Sequence, residues 1–130
     1  MVTFDDWKNF DCVKKNCMAL IDLDVTKAKN WDDFKGQVYH ADRSKIDSRA
    51  KKLAEYGSRS DFIALAAVLM AMDYSSLASE LDAAHGTVLG HWQYTGGERL
   101  DALIGVLSMG KGHKTNLKLP VDHVSSLGAH

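Results

Sequence analysis

The sequence predicts an all-α protein folded as a single compact bundle of five or six helices. The chain has 130 residues and one proline, so long helices are possible over most of it. Apolar residues recur three and four positions apart in several segments, which is the period of an α-helix. The run from Phe62 to Met72 is apolar on nearly every side, as expected of the central helix of a bundle.

Two helices are predicted in the first third of the chain. Thr3 and Asp6 have the spacing of a capping box, and an apolar stripe then carries a first helix from Phe4 to Leu23. Asn30 is a suitable N-cap for a second helix, because two aspartates follow in its first turn.

Two further helices precede the middle of the chain. An apolar stripe with basic residues around it predicts a third helix from Asp42 to Tyr56, ending near Gly57. Ser58 or Ser60 can cap the central apolar helix that comes next.

The last two predicted helices complete the domain. A short helix covers Ser75 to Leu81, and a capping box of Thr95 and Glu98 starts a longer helix that stops at a glycine. The helical domain is therefore expected to cover residues 1–110. Residues 111–130 are expected to form a C-terminal tail that is partly ordered.

Charge is distributed unevenly along the chain. The net charge of −1 gives no general attraction to nucleic acid or to an anionic membrane. Residues 41–60 nevertheless contain six basic and three acidic side chains, whereas residues 61–109 contain one basic and six acidic side chains. Residues 41–60 therefore favour an anionic partner, whereas residues 61–109 favour a partner that is not a polyanion.

Several function classes lack their sequence signatures. There is no Gly-x-Ser-x-Gly motif, no P-loop and no dinucleotide fingerprint, so no catalysis is expected. His85 and His91 are six positions apart, which separates them on the surface of a helix. No pair of histidines has the spacing of metal ligands, so neither a metal nor another cofactor is expected.

The two cysteines and the apolar segments indicate where in the cell the protein is expected. Cys12 and Cys17 lie on or beside an apolar stripe, so they are expected to be reduced, buried thiols. The N-terminus lacks the pattern of a signal peptide, and the longest apolar run is too short to span a bilayer. A cytoplasmic protein without a membrane partner is therefore expected.

The stretch from Leu77 to Trp92 has the outline of a helix-turn-helix, in which two short helices pack across a tight turn. A small residue, Ala78, lies in the first helix, and a branched apolar residue, Val88, follows ten positions later. On these residues the segment 62–109 resembles Cro-repressor-type DNA-binding domains. Asp82 stands where that family usually has the turn glycine.

The resemblance implies that the partner is double-stranded DNA. The residues it would direct toward the major groove are His85, Thr87, Gly90, His91 and Gln93. This segment has no Lys or Arg, so the phosphate contacts are expected from the basic segment. Those candidates are Arg43, Lys45, Arg49 and Lys52. Proteins with this motif usually bind paired half-sites, so the resemblance also implies a homodimer.

The acidic block favours a second hypothesis, in which the partner is another protein. Its candidate contacts are Glu80, Asp82, Tyr94 and Asp101. The protein would then be a small inhibitor or adaptor of the type encoded by phages or other mobile elements. The motif favours the first hypothesis and the charge distribution favours the second, and the sequence leaves both open.

Overall fold

The fold was analysed in a computed structural model, which describes residues 2–85 and 97–108. This part of the chain contains seven α-helices, one short 3₁₀ helix and no strand. The elements are α1 Phe4–Lys8, α2 Asp11–Ile21, the 3₁₀ helix Val25–Lys27, α3 Trp31–Tyr39, α4 Arg43–Tyr56, α5 Arg59–Ala71, α6 Ser75–Ala84 and α7 Gly97–Ser108. The all-α class is confirmed. No helix in the described ranges has the length and apolar character needed to cross a bilayer. The predicted tail lies outside the described residues.

The prediction of one helix from Phe4 to Leu23 is wrong, which is one reason for the higher helix count. The capping box is present: the Asp6 N–H donates to Thr3 Oγ1 at 3.1 Å, and the Thr3 N–H donates to Asp6 Oδ2 at 3.2 Å. The helix stops at Asn9, whose side-chain amide donates to a carbonyl of the first turn at 2.7 Å. Phe10 then has an extended backbone, and α2 begins after it.

The apolar helix α5 lies at the centre of the bundle, as predicted. It packs against α2, α4, α6 and α7, and every residue from Phe62 to Met72 is buried. Of the two predicted caps, Ser58 is the one used: its hydroxyl accepts from the Asp61 N–H at 3.1 Å. A helix covered on four sides needs no polar face, which explains its composition.

The predicted cap of α3 is also confirmed, and α4 has a cap that the sequence analysis did not name. The Asn30 side chain accepts from the Asp33 N–H at 2.9 Å at the start of α3. The Asp42 carboxylate accepts from the Ser44 N–H at 2.9 Å at the start of α4. Helix α4 ends at Gly57 as predicted, although the glycine has an extended rather than a left-handed backbone.

An aromatic cluster joins three helices at one side of the bundle. It contains Phe4 and Trp7 from α1 and Trp31 and Phe34 from α3, with neighbouring ring centroids 4.7 to 6.3 Å apart. Trp7 is fully buried, and its Nε1 donates to the Ala102 carbonyl of α7 at 3.1 Å. Aromatic side chains each bury about 150–250 Å². The cluster therefore supplies much of the buried area that attaches α1 and α3 to the bundle.

The structure corrects the predicted boundary of α6. This helix continues to Ala84, so Asp82 lies inside a helix and not at a turn. Leu77 and Ala78 are buried, as the packing face of the motif requires. The helix-turn-helix itself is not shown, because residues 86–96 lie outside the described part of the chain.

Candidate binding groove

The residues predicted to contact DNA fall into two groups. Thr87, Gly90, His91 and Gln93 lie outside the described residues. His85 is exposed at the C-terminal end of α6, with its ring 6.2 Å from that of Phe62. The four basic candidates all lie on α4.

The basic residues of α4 differ in whether they contact another helix. The Arg49 guanidinium donates to the Leu20 carbonyl at 3.1 Å and pairs with Asp22 at 3.0 Å, so it holds α4 against the end of α2. Lys45 and Lys52 are exposed, and neither forms a salt bridge within the described ranges. One of the four predicted phosphate contacts therefore already has a structural role.

The flank of α4 near α6 carries mixed charge. Lys51 pairs with Asp47 at 2.9 Å. The hydrogen bond to Asp47 raises the pKa of Lys51, and the nearby charge of Glu80 acts in the same direction. Glu80 is exposed, as the protein-binding hypothesis requires, but it faces a cation of its own chain.

The candidates for an acidic binding surface differ in exposure. Asp82 is only 5% exposed, so little of its side chain is accessible to a partner. The physical reason is its position one turn after Ala78, on the face of α6 that packs into the bundle. Asp101 is exposed at a shallow depression between α1 and α7, where Asp5 and Asp6 lie. Tyr94 lies outside the described residues.

The structure brings together a groove that the sequence did not predict. It lies between the end of α3, the start of α4 and the turn from α5 to α6, and its volume is about 340 Å³. The lining residues are Lys35, Val38, Tyr39, Arg43, Met72, Asp73 and Tyr74. Of the predicted site residues that the structure describes, Arg43 is the one that lines the groove.

The apolar part of the groove consists of buried and exposed side chains side by side. Val38 and Met72 are 6% and 3% exposed. Tyr39 is 84% exposed, and its ring meets that of His40 edge-on with 5.5 Å between centroids. A largely exposed tyrosine next to a buried apolar surface is a common arrangement at binding surfaces.

The polar part of the groove has two cations and one carboxylate. Lys35 Nζ lies 2.9 Å from Asp73 Oδ2. The Arg43 guanidinium lies over the Tyr74 ring, 5.9 Å from its centroid, which is a cation–π distance. Lys35 and Arg43 therefore leave the groove with an excess of positive charge over Asp73.

One sequence signal points to this groove. The apolar stripe of α3 follows Phe34 and Val38, four positions apart, and both are buried. Tyr39 comes directly after Val38 and so lies off the stripe, on the polar side of the helix. Tyrosine is enriched at protein–protein interfaces, so a tyrosine at such a position is a candidate contact residue.

The cysteines do not offer a reactive thiol. Burial raises the pKa of Cys12 to about 12, and the hydrogen bond with Glu98 adds to the effect. Burial alone raises the pKa of Cys17 to about 12. Both thiols are therefore protonated at neutral pH and poor nucleophiles. Within the described ranges, no group of three or more His, Cys, Asp or Glu is arranged to hold a metal ion.

Comparison of the chain with protein-family models, with curated proteins and with solved structures finds no match. Function is therefore inferred from the groove and from the exposed residues around it.

Proposed function

We propose that the protein is a small non-catalytic regulator that binds another protein through the groove between α3 and α4. The observation that carries this proposal is the 84% exposure of Tyr39 beside the buried side chains of Val38 and Met72. Tyrosine and arginine are enriched among the residues that contribute most to protein–protein binding, and Arg43 lies in the same groove.

The shape of the groove favours a segment of a protein over a small molecule. A volume of about 340 Å³ is at the lower end of the range for small-molecule sites, and such sites usually enclose most of their ligand. Here Tyr39 stands out at the edge, where it would cover a side chain that a partner inserts. Tyrosine loses little conformational entropy when it is fixed in this way, because it has two side-chain torsions.

The test is photo-crosslinking from single positions in cells that make the protein. A benzophenone amino acid replaces Tyr39 in one variant and Tyr56 in a matched control. The two tyrosines are 84% and 82% exposed, and each lies at the C-terminal end of a helix. We expect an adduct of one defined mass from position 39 and none of that mass from position 56.

A second substitution makes the result specific to the groove. Arg43→Glu in the position-39 variant reverses one groove charge without touching the buried core, and it should abolish the adduct. Equal adducts from positions 39 and 56, or an adduct that survives Arg43→Glu, would contradict the proposal.

A second candidate function is DNA binding through the helix-turn-helix that the sequence resembles. The burial of Leu77, Ala78 and Leu81 in α6 favours it, because these are the packing positions of the first motif helix. Lys45 and Lys52 are exposed on α4 outside the groove, so both are available for contacts with phosphate.

DNA binding is tested by retention on random duplex DNA over a salt series. A DNA binder loses affinity steeply with salt, and replacing both Lys45 and Lys52 by Gln should lower the slope by about one for each lost phosphate contact. Absence of retention at low salt would exclude this function.

A further inference from the structure

We propose that the groove binds an acidic peptide segment in which a large apolar side chain is next to a carboxylate. This inference rests on the proposed protein-binding function and names the chemistry of the partner. It follows from the balance of charge in the groove, from the position of Arg43 and from the apolar floor.

The charge balance favours a negatively charged ligand. Among the described residues that line the groove, Lys35 and Arg43 are the cations and Asp73 is the carboxylate. The side chains of Lys35 and Asp73 are 35% and 57% exposed, so their ion pair is well solvated. Solvated ion pairs contribute little to stability, so a ligand carboxylate can share Lys35 with Asp73 or replace Asp73 at small cost. A basic segment would instead meet two like charges.

Arg43 has the geometry to hold a carboxylate. Its guanidinium lies over the Tyr74 ring, and no carboxylate in the described part of the chain forms a salt bridge with it. A guanidinium at a cation–π distance from a ring keeps N–H groups that can bind both oxygens of a carboxylate.

The apolar floor of the groove is the reason that the ligand needs a large apolar side chain. Val38 and Met72 lie at the base of the groove, and Tyr39 stands at its edge. Methionine adapts its shape to different apolar groups and contacts aromatic rings favourably. A volume of about 340 Å³ has room for one or two side chains and not for a long folded element. The ligand is therefore a short segment with one apolar anchor beside its acid.

The experiment is an NMR titration of the intact chain with two matched dipeptides. Acetyl-Phe-Glu-amide has the aromatic anchor and a carboxylate, and acetyl-Phe-Gln-amide differs from it only in charge. We expect the acidic dipeptide to shift the signals of Tyr39, Arg43, Met72 and Tyr74. We expect it to bind about fivefold more tightly than the neutral dipeptide, as one solvated charge contact permits.

Two variants assign the preference to the groove. Arg43→Gln should reduce the difference between the dipeptides to less than about twofold, whereas Lys52→Gln should retain it, because Lys52 is an exposed cation of the same helix outside the groove. The amide spectrum of each variant also reports whether the fold is kept.

Three outcomes of the titration would overturn the inference. Equal binding of the two dipeptides, or no shift in the groove at millimolar dipeptide, would exclude an acidic ligand. A short thymidine oligonucleotide is the third probe, because tyrosines also stack on bases. If it shifts the same signals at a lower concentration than the acidic dipeptide, the ligand is nucleic acid and the inference is wrong.

The inference and the proposed function fail separately. A position-39 adduct that is lost in Arg43→Glu reports that a protein occupies the groove, whatever the chemistry of its segment, so it would uphold protein binding even if the dipeptides bound equally. Charge-selective dipeptide binding without any crosslink would refute the proposed function alone.

Discussion

Helix α2 receives its N-terminal cap from the other end of the chain, and removing that cap should destabilise the whole bundle. Phe10, at the N-cap position, provides no side-chain hydrogen bond. The Cys12 N–H instead donates to Glu98 Oε1 of α7 at 2.8 Å, across 86 positions of sequence. The carboxylate thus satisfies one of the unpaired N–H groups of α2 and lies at the positive end of its dipole. Glu98→Ala removes both interactions.

The expected loss follows from the type of hydrogen bond. Loss of an N-cap costs about 1 kcal/mol, and hydrogen bonds to charged groups contribute about 1.5–3 kcal/mol. Glu98 is partly exposed, so a value near the lower end, about 1.5 kcal/mol, is expected for Glu98→Ala. For a chain of this size, that corresponds to a fall in Tm of roughly 5 °C. Glu98→Gln keeps an acceptor without the charge and should lose about half as much.

The assay is urea and thermal unfolding followed by circular dichroism, with Glu55→Ala as the matched control. Glu55 is exposed on α4, so its replacement should change the free energy of unfolding by less than about 0.5 kcal/mol. Hydrogen exchange of the Cys12 amide should also accelerate in Glu98→Ala. If Glu98→Ala and Glu55→Ala have the same stability, the cap from α7 contributes nothing and the reasoning is refuted.

Four further predictions concern stability and reactivity. Gly36→Ala should stabilise the fold by about 0.5–1 kcal/mol, because an added Cβ meets nothing within 4 Å in the middle of α3. Gly57→Ala should lower the urea midpoint, because its Cβ would lie 2.9 Å from a carbonyl oxygen of the preceding turn. The two buried thiols, whose pKa values burial raises to about 12, should react with a disulfide reagent only after unfolding. The hydrogen bond from the Ser58 N–H lowers the pKa of Asp61 below its ordinary 3.8, so its stabilisation is present above that pH and lost as pH falls through the folded pKa. Urea midpoints should therefore fall less between pH about 6 and pH about 3 for Asp61→Asn than for the native chain.

The helix starts were predictable because they depend on neighbouring residues. Thr3, Asn30, Asp42 and Ser58 each accept a backbone N–H two or three positions ahead. Such signals are written in the local sequence. The break at Phe10 has no such signal. This break separates α1 from α2. The position of α1 depends on a distant contact, because its indole hydrogen-bonds to the carbonyl of a helix almost a hundred positions away.

The groove was not predictable for the same physical reason. Its lining comes from three segments that meet only when α3, α4 and the turn after α5 are packed. The prediction of a turn at Asp82 has a different cause of failure. It came from a family pattern, and α6 continues through this position. Arg49 shows a third kind of failure, since a cation counted as surface charge is committed to the end of α2. Sequence charge predicts how many ionic groups exist, and packing decides which of them are available.

Asp73, in the groove, has a left-handed backbone, and comparison with Asp22 shows whether that backbone indicates a function. Asp22 has φ 55° at the end of α2, and Asp73 has φ 66° after α5, where glycine is the usual residue. Each pairs with a cation of another helix, Asp22 with Arg49 and Asp73 with Lys35. Asp22 does this outside the groove, so joining a helix end to its neighbour is sufficient reason for an aspartate at such a position. The left-handed backbone of Asp73 is therefore explained by packing. The features that indicate binding are the exposed Tyr39 ring and the Arg43 guanidinium, which forms no salt bridge in the described part of the chain.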